Sequence, residues 1–150
     1  THSHPISYLS CFLYLLIVWG VQKGLVLSKK DHINSSFDGF NWYLNENGIE
    51  IPEELTDLTQ LNYEEINEDD INSRTYVINS LKTTIYCFLN TSSYKEAVLK
   101  AVNLGGDTDT NAALTGALAA MYYGAETIPT EWISDLVKNN TINEILNKVS

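Results

Sequence analysis

The sequence has little basic charge. It contains 9 Lys and Arg against 19 Asp and Glu, for a formal net charge of −10, and it has no Lys or Arg between Lys30 and Arg74. Bulk charge therefore argues against a nucleic-acid partner or an anionic membrane surface. We predict that the acidic residues of this interval form a solvated face. A pair of glycosidase carboxylates needs a fixed separation across a pocket, and nothing in the run fixes one.

Sulfur-containing residues are also scarce. The two cysteines, Cys11 and Cys87, both lie among apolar residues. This setting is more typical of buried thiols in a reducing, cytoplasmic compartment than of a disulfide framework. The single methionine is Met121. The sequence thus starts without an initiator, and we expect it to be part of a longer product.

No stretch alternates polar and apolar residues in the manner of a strand, so we predict an all-α fold over residues 1–150. Residues 6–21 are almost wholly apolar. A 16-residue helix is about 24 Å long, less than the ~30 Å hydrocarbon core of a bilayer. Neither preceding basic residues nor a cleavage site is evident. We therefore predict a core helix, buried on most sides, and no membrane association.

Start and stop signals predict the remaining helices. Pro52 and Pro129 suit first helical turns, Gly48 suits a helix end, and Ser93 with Glu96 matches a capping box. The predicted helices cover residues 28–47, 52–61, 73–89 and 93–104, with two more beginning near 129 and at 141.

The most informative stretch is residues 104–110, with the sequence LGGDTDT. Gly105 and Gly106 allow a sharp turn at little steric cost. Asp107 and Asp109 are two residues apart, so both can face one ion on an irregular turn, and Thr110 can add a hydroxyl oxygen. Oxygen ligands of this kind suit Mg²⁺, Mn²⁺ or Ca²⁺.

Two other interpretations fit parts of this stretch. Thr108 or Thr110 could simply cap the next helix, with the carboxylates at its positive end. The spacing also begins like an EF-hand calcium loop, but Ala112 stands where that loop needs Gly and Leu118 where it needs Glu. The EF-hand is thus excluded, and the cap stays open.

The segment after the loop is rich in small residues. Ala112, Gly116, Ala120 and Gly124 are spaced four apart and form one stripe of a helix. A stripe without bulk lets another helix approach closely. We therefore expect this helix at the centre of a bundle.

These residues resemble the ADP-ribosylglycohydrolase family, which includes the dinitrogenase-reductase-activating glycohydrolases. The likeness covers residues 101–110, the Ala/Gly helix, Ile128-Pro129 and Trp132. It implies a compact, orthogonal all-α bundle with two divalent cations, Mg²⁺ or Mn²⁺, whose ligands include Asp107, Asp109 and Thr110. It also implies hydrolysis of an ADP-ribosyl bond to a protein side chain or small acceptor.

The resemblance further implies substrate-binding roles for His2, Tyr76, Gly105 and Gly106. From the residues alone, His2 fits a polar helix leader equally well, and Tyr76 an ordinary core aromatic. Arg74 and Thr75 stand where the family usually has Ser and Gly. A side chain at position 75 is expected to crowd or reshape the edge of the pocket.

By the same resemblance, the chain corresponds to the carboxyl-terminal part of a single domain. The amino-terminal half would supply a Thr-Asp-Asp metal motif and the general base, so we expect this segment alone to be inactive and to expose apolar surface. Two alternatives stay open. One is a non-catalytic, crystallin-like or ADP-ribose-binding relative, and the other is a stand-alone helical metal-binding domain.

Overall fold

The computed structural model describes residues 3–23, 27–136 and 139–149. Within these ranges the chain is helical and contains no strand, which confirms the all-α prediction. The α-helices are α1 (Pro5–Gln22), α2 (Lys29–Glu46), α3 (Glu53–Gln60), α4 (Val77–Leu89), α5 (Tyr94–Asn103), α6 (Thr108–Tyr123), α7 (Thr130–Ser134) and α8 (Asn139–Val149), and 3₁₀ turns lie at Glu68–Asp70 and Ala125–Thr127.

Helix α6 is central, because it packs against α5, α4 and α1. Its small residues permit this. A Cβ atom built at Gly116 would lie 3.3 Å from the Oη of Tyr94 and 3.4 Å from a methyl group of Val98, so α5 approaches α6 with no room to spare. The predicted central position of α6 is confirmed.

Helix α1 packs against α2, α6 and α4 through Leu9, Leu13 and Ile17, which are buried. The hydroxyl of Tyr14 donates a hydrogen bond to the carbonyl of Leu114 at 2.9 Å and thereby joins α1 to α6. These contacts confirm that residues 6–21 form a helix with a core-facing side.

The opposite side of α1 is exposed, and the prediction of burial on most sides was wrong. Tyr8, Leu15 and Trp19 are 49%, 61% and 57% exposed and lie along one stripe. By length and composition, with a mean hydropathy of 1.5, α1 would also pass for a membrane-spanning helix. Core helices of soluble proteins and signal sequences satisfy the same criterion.

Two predicted helix starts are confirmed by their caps. The hydroxyl of Ser28 accepts a hydrogen bond from the backbone N–H of Asp31 at 3.1 Å, and Ser93 accepts from that of Glu96 at 3.2 Å. The Glu96 carboxylate in turn accepts from the N–H of Ser92 at 2.8 Å. The capping box at α5 therefore forms, with its return bond one residue earlier than predicted.

Helix α4 begins at Val77 rather than at Ser73, as predicted from periodicity. Tyr76 is extended, with φ −165° and ψ 134°. The carbonyl of Ser73 accepts hydrogen bonds from residues near the start of α6 instead of entering a helix. The tertiary contact therefore overrides the local helical pattern. Helix α8 begins two residues earlier than predicted, at Asn139.

The acidic residues between Lys30 and Arg74 are all exposed, as predicted. The cysteines differ from each other. Cys87 is fully buried, and burial raises the pKa of its thiol to about 12. Cys11 is exposed, which corrects the prediction that both are buried. An apolar sequence neighbourhood does not bury a residue that lies on the outer side of its helix.

Candidate metal and substrate site

The 104–110 loop makes the turn from α5 into α6. Gly105 and Gly106 have φ values of 75° and 66°, in the left-handed region that favours glycine. Helix α6 then starts at Thr108, with Asp107 as its N-cap residue. The predicted sharp turn is therefore present at both glycines.

Gly106 is required for a second reason, which is close approach to Ser73. A Cβ atom at position 106 would lie 2.5 Å from the carbonyl oxygen of Ser73 and 2.6 Å from its hydroxyl oxygen. No atom lies within 4 Å of the corresponding position at Gly105. Only one of the two glycines is thus constrained by both φ and space.

Ser73 holds the loop through three hydrogen bonds, which we call the Ser73 clamp. Its carbonyl accepts from the backbone N–H of Asp107 at 2.9 Å and from the side-chain amide of Asn111 at 2.8 Å. Its hydroxyl donates to the carbonyl of Leu104 at 3.1 Å. The entry to α4 is thereby fixed to the start of α6.

The sequence did not predict the roles of two residues of this clamp, Ser73 and Asn111. The periodicity predicts Ser73 as the first residue of a helix, and the 104–110 motif assigns no role to Asn111. The available signal was a lone amide side chain one turn after Asp107, in a helix otherwise rich in small residues. Asn111 is fully buried, as expected of an amide with a backbone partner.

The two loop carboxylates lie side by side. Asp107 is half-buried, whereas Asp109 and Thr110 are exposed. The backbone N–H of Thr110 lowers the pKa of Asp109 below its ordinary value, and a hydrogen-bonding contact with the Asp107 carboxyl group lowers it further. A cation bound between two adjacent carboxylates would relieve the repulsion that arises when both are ionised.

The helix-cap interpretation of the threonines is wrong. Thr108 is the first residue of α6 rather than its cap, and the N-cap residue, Asp107, makes no side-chain cap hydrogen bond. The carboxylates do lie at the positive end of α6, where the helix dipole attracts negative charge. The part of that interpretation that places the carboxylates at the helix start therefore holds, whereas the capping role of the threonines does not.

The donor set fits part of a site for a hard cation. Two carboxylates and the hydroxyl of Thr110 are oxygen donors, which Mg²⁺ and Mn²⁺ prefer. In the described part of the chain, no group of three or more His, Cys, Asp or Glu side chains is placed to hold a metal ion. Asp107 and Asp109 thus form an incomplete ligand set.

A cleft of about 580 Å³ opens beside these carboxylates, between α1 and the starts of α4 and α6. Its walls are largely apolar, with the acidic loop at one edge. The cleft is lined by Ser10, Cys11, Tyr14, Leu15, Thr75, Tyr76, Val77, Ser80, Leu81, Asp107, Thr110 and Leu114. A mostly apolar cavity with a few convergent polar groups is the usual form of a small-molecule site.

The structure brings Tyr76 to this cleft together with Asp107 and Thr110. Tyr76 is 44% exposed, so it is not a core aromatic. The Tyr76 hydroxyl donates a hydrogen bond to Oε1 of Glu54 at 3.4 Å. Desolvation and the neighbouring Glu54 carboxylate raise the pKa of Tyr76. Thr75 lines the cleft beside it. His2, also predicted to bind substrate, lies outside the described residues.

The fold and this loop define a class, that of all-α proteins with an acidic loop before a central helix. A family model described as ADP-ribosylglycohydrolase matches residues 1–150. The chain belongs to the ADP-ribosylglycohydrolase family. Members of this family are generally metal-dependent.

Three relatives show the extent of the similarity. The chain is 39% identical over 83 residues to ADP-ribosylarginine hydrolase Tri1 of Serratia proteamaculans (strain 568), covering 55% of the chain and 23% of the relative. It is 38% identical over 64 residues to ADP-ribosyl-(dinitrogen reductase) glycohydrolase of Rhodospirillum rubrum, covering 43% and 22%. It is 33% identical over 90 residues to ADP-ribosylhydrolase ARH3 of Mus musculus, covering 53% and 24%. The matched stretches thus span about a quarter of each relative.

Proposed function

We propose that this chain forms part of the catalytic site of an enzyme that hydrolyses the glycosidic bond between ADP-ribose and a protein side chain or small acceptor. The observation that carries the proposal is the pair of adjacent carboxylates, Asp107 and Asp109, at the edge of the cleft lined by Tyr76. The names of the relatives, which refer to ADP-ribosylarginine and to ADP-ribosylated dinitrogen reductase, support an ADP-ribosyl substrate.

In this proposal Asp107, Asp109 and Thr110 hold two divalent cations, Mg²⁺ or Mn²⁺. When bound, such cations supply positive charge that orients ribose hydroxyls and stabilises charge developing at the anomeric carbon. Gly105 and Gly106 let the backbone come close to the ligand. The ring of Tyr76 forms one wall of the substrate cleft.

The remaining parts of the site are proposed to come from polypeptide outside these 150 residues. Apart from Asp107, no carboxylate or imidazole lines the described cleft, so the described residues offer no independent general base. Further metal ligands are needed to complete the shell of Asp107 and Asp109. His2 is assigned to the substrate phosphate or ribose. A cytoplasmic location belongs to the same proposal, because neither cysteine forms a disulfide.

A second candidate is a non-catalytic protein that binds ADP-ribose without hydrolysing its conjugates. The feature that favours it is Thr75, which lines the cleft at a position where the family usually has Gly. Product release from an ADP-ribosylated peptide separates the two candidates. A hydrolase frees ADP-ribose with turnover, whereas a binding protein retains it.

The first experiment is calorimetric titration with Mn²⁺. Four samples are compared: the 150-residue chain, its Asp109→Ala variant, its Asp38→Ala variant as a control, and the chain preceded by an upstream segment that carries a Thr-Asp-Asp motif. Asp38 is an exposed carboxylate on α2 and its removal changes net charge equally.

We expect tight binding only in the extended chain, and its loss on Asp109→Ala but not on Asp38→Ala. ADP-ribosylated arginine peptides are then tested for Mn²⁺-dependent release of ADP-ribose. Equally tight binding by the 150 residues alone would favour a stand-alone metal-binding domain. If Asp109→Ala and Asp38→Ala behave identically, the metal assignment of the loop is wrong.

A further inference from the structure

A second cleft, of about 400 Å³, lies between the carboxyl-terminal half of α1 and the helix α2. Its walls are largely apolar and include Leu16, Trp19 and Leu27. This cleft shares no lining residue with the one beside Asp107. A ligand bound between α1 and α2 would therefore be held independently of the proposed hydrolytic site.

Two glycines inside the helices leave room for this cleft, Gly20 on α1 and Gly39 on α2. A Cβ atom at Gly20 would lie 3.3 Å from the Oγ of Ser36, so a small residue there lets the two helices approach each other. No neighbouring atom lies within 4 Å of a Cβ built at Gly39. Glycine inside a helix is destabilising relative to alanine, and packing does not explain it at position 39. Its effect in the structure is to keep the cleft open.

Two buried polar side chains line the cleft, and they differ in their hydrogen bonds. The Ser36 hydroxyl donates to the carbonyl of His32 at 2.8 Å. The side chain of His32 is only 3% exposed, and its imidazole makes no hydrogen bond to any described residue. The described polar atoms that are both enclosed and without a partner do not include either ring nitrogen of His32. These nitrogens are therefore accessible from the cleft, and they mark a position for a polar group of a ligand.

The charged group of this cleft is basic, although the chain has a net charge of −10. No described Asp or Glu lines it. Lys23 lies at its rim, with the ammonium group 4.9 Å from the centroid of the Trp19 ring. This cation–π contact holds the positive charge beside the aromatic wall. The cleft thus combines an aromatic surface, a positive charge and a buried imidazole.

We propose that this cleft binds a small planar aromatic molecule that carries a carboxylate. The ring of the ligand lies against Trp19 and Leu16, and its carboxylate accepts hydrogen bonds from His32 and Lys23. The apolar walls favour a ligand with an aromatic body over a free inorganic anion. A volume of about 400 Å³ is within the range of small-molecule sites.

The test measures binding of benzoate and indole-3-carboxylate to the 150-residue chain by calorimetry, with indole-3-carboxamide as the neutral control ligand. Three variants change the cleft. His32→Phe keeps a ring beside Tyr122, whose centroid lies 6.0 Å from that of His32. Lys23→Gln removes the charge, and Gly39→Leu fills the open space. Lys148→Gln, at an exposed position of α8, is the charge-matched control.

We expect indole-3-carboxylate to bind at one site per chain, and indole-3-carboxamide to bind about tenfold more weakly because a charge-assisted contact is lost. His32→Phe and Lys23→Gln should each weaken carboxylate binding by about fivefold or more. Lys148→Gln should bind like the wild type. Gly39→Leu should lose binding, and a thermal melt should show that it is folded, because leucine favours a helix more than glycine does.

Nuclear magnetic resonance adds a local readout. On titration with indole-3-carboxylate, the imidazole signals that are lost in His32→Phe should shift. The signals of His4, which is exposed at the other end of α1, should stay in place. Shifts of equal size at both histidines would contradict a site at His32.

The inference is overturned if the wild-type chain binds neither carboxylate, or if the carboxamide binds as tightly as indole-3-carboxylate. Binding by Gly39→Leu equal to that of the wild type would also overturn it. If Gly39→Leu does not fold, the comparison of Lys23→Gln with Lys148→Gln decides, and equal binding by those two variants overturns the inference. None of these measurements involves a metal ion or ADP-ribose, so they stand or fall separately from the proposed function.

Discussion

Two regions of the molecule differ in how completely their surfaces contact other described parts of the chain. Around the 104–110 loop, α4, α5 and α6 are held by short polar contacts, such as the Ser73 clamp, and by close helix packing at Gly116. Along α1, the inner side is fully packed, but Tyr8, Leu15 and Trp19 are largely exposed on the outer side. The helices of the first region are held to one another by contacts among the described residues, whereas α1 has an apolar side without a described partner.

The comparison shows that apolar sequence and burial are separate properties. Helix α1 is far more apolar than α6, yet α6 is the central helix of the bundle. Small size allows α6 to be surrounded, while the large side chains of α1 cover only one side. Four predictions test this contrast, from the largest expected effect to the smallest.

The largest effect is expected on α1, from truncating an inner leucine. Leu13 is fully buried, so Leu13→Ala should lower the free energy of unfolding by about 2–5 kcal/mol. Leu15 is 61% exposed, and Leu15→Ala should change it by less than about 0.5 kcal/mol. Urea unfolding measures both. Comparable losses in the two variants would mean that the outer side is covered in solution, and sedimentation would then show self-association.

The next effect concerns the two loop glycines. Gly106→Ala places a Cβ against the backbone of Ser73 at a positive φ, so we expect a loss of about 3 kcal/mol. Gly105→Ala also places an alanine at a positive φ, but no atom lies within 4 Å of its Cβ. We therefore expect it to lower the free energy of unfolding by only about 1 kcal/mol. The same unfolding measurement compares them. Equal losses would contradict the close approach at Gly106.

A smaller effect is expected from two buried polar residues on α6. Asn111→Leu removes a bonded amide and should cost about 1–2 kcal/mol. Thr115→Val removes a buried hydroxyl that has no hydrogen-bond partner within the described residues, and should be neutral or slightly stabilising. Thermal melts of the two variants and of the wild type measure both changes in stability. A larger loss in Thr115→Val would reveal a partner for that hydroxyl.

The effect that is smallest at neutral pH separates the two cysteines. Burial raises the pKa of Cys87 to about 12 in the folded state, above its ordinary value of 9.0, so the fold favours the protonated thiol. This stabilisation is fully present below pH 9 and is lost as the pH rises from 9 towards 12, by up to about 1.4 kcal/mol per pH unit. Cys87→Ala should therefore flatten the alkaline fall in stability.

Cys11→Ser serves as the control. Because the Cys11 thiol is exposed, its replacement should not change how steeply stability falls at alkaline pH. At pH 8 a thiol reagent should modify one cysteine per folded chain and two per unfolded chain. Modification of both in the folded protein would show that the region around Cys87 opens readily.

Most helices could be predicted from local sequence because their ends carry local signals. Ser28, Ser93 and Gly48 act within a few residues of themselves, and each lies at a helix end in the structure. The small-residue stripe of α6 likewise predicted its central position. The grouping of Asp107 with Asp109 followed from their spacing alone.

What the sequence could not predict depends on residues far apart in the chain. Ser73 leaves its predicted helix because its carbonyl meets Asp107 and Asn111 across the fold. Which side of α1 is covered depends on where α2, α4 and α6 pack, and no local pattern records that. The joining of Tyr76 to the acidic loop in one cleft is likewise a product of the tertiary structure.

The Ser73 clamp has a consequence for how this protein can evolve. Because Gly106 leaves no space between its backbone and Ser73, a larger residue at position 106 is tolerable only if the 73 segment moves, which would shift Arg74 and Tyr76 as well. Replacement of Gly106 should therefore be found only together with changes that displace the segment at Ser73.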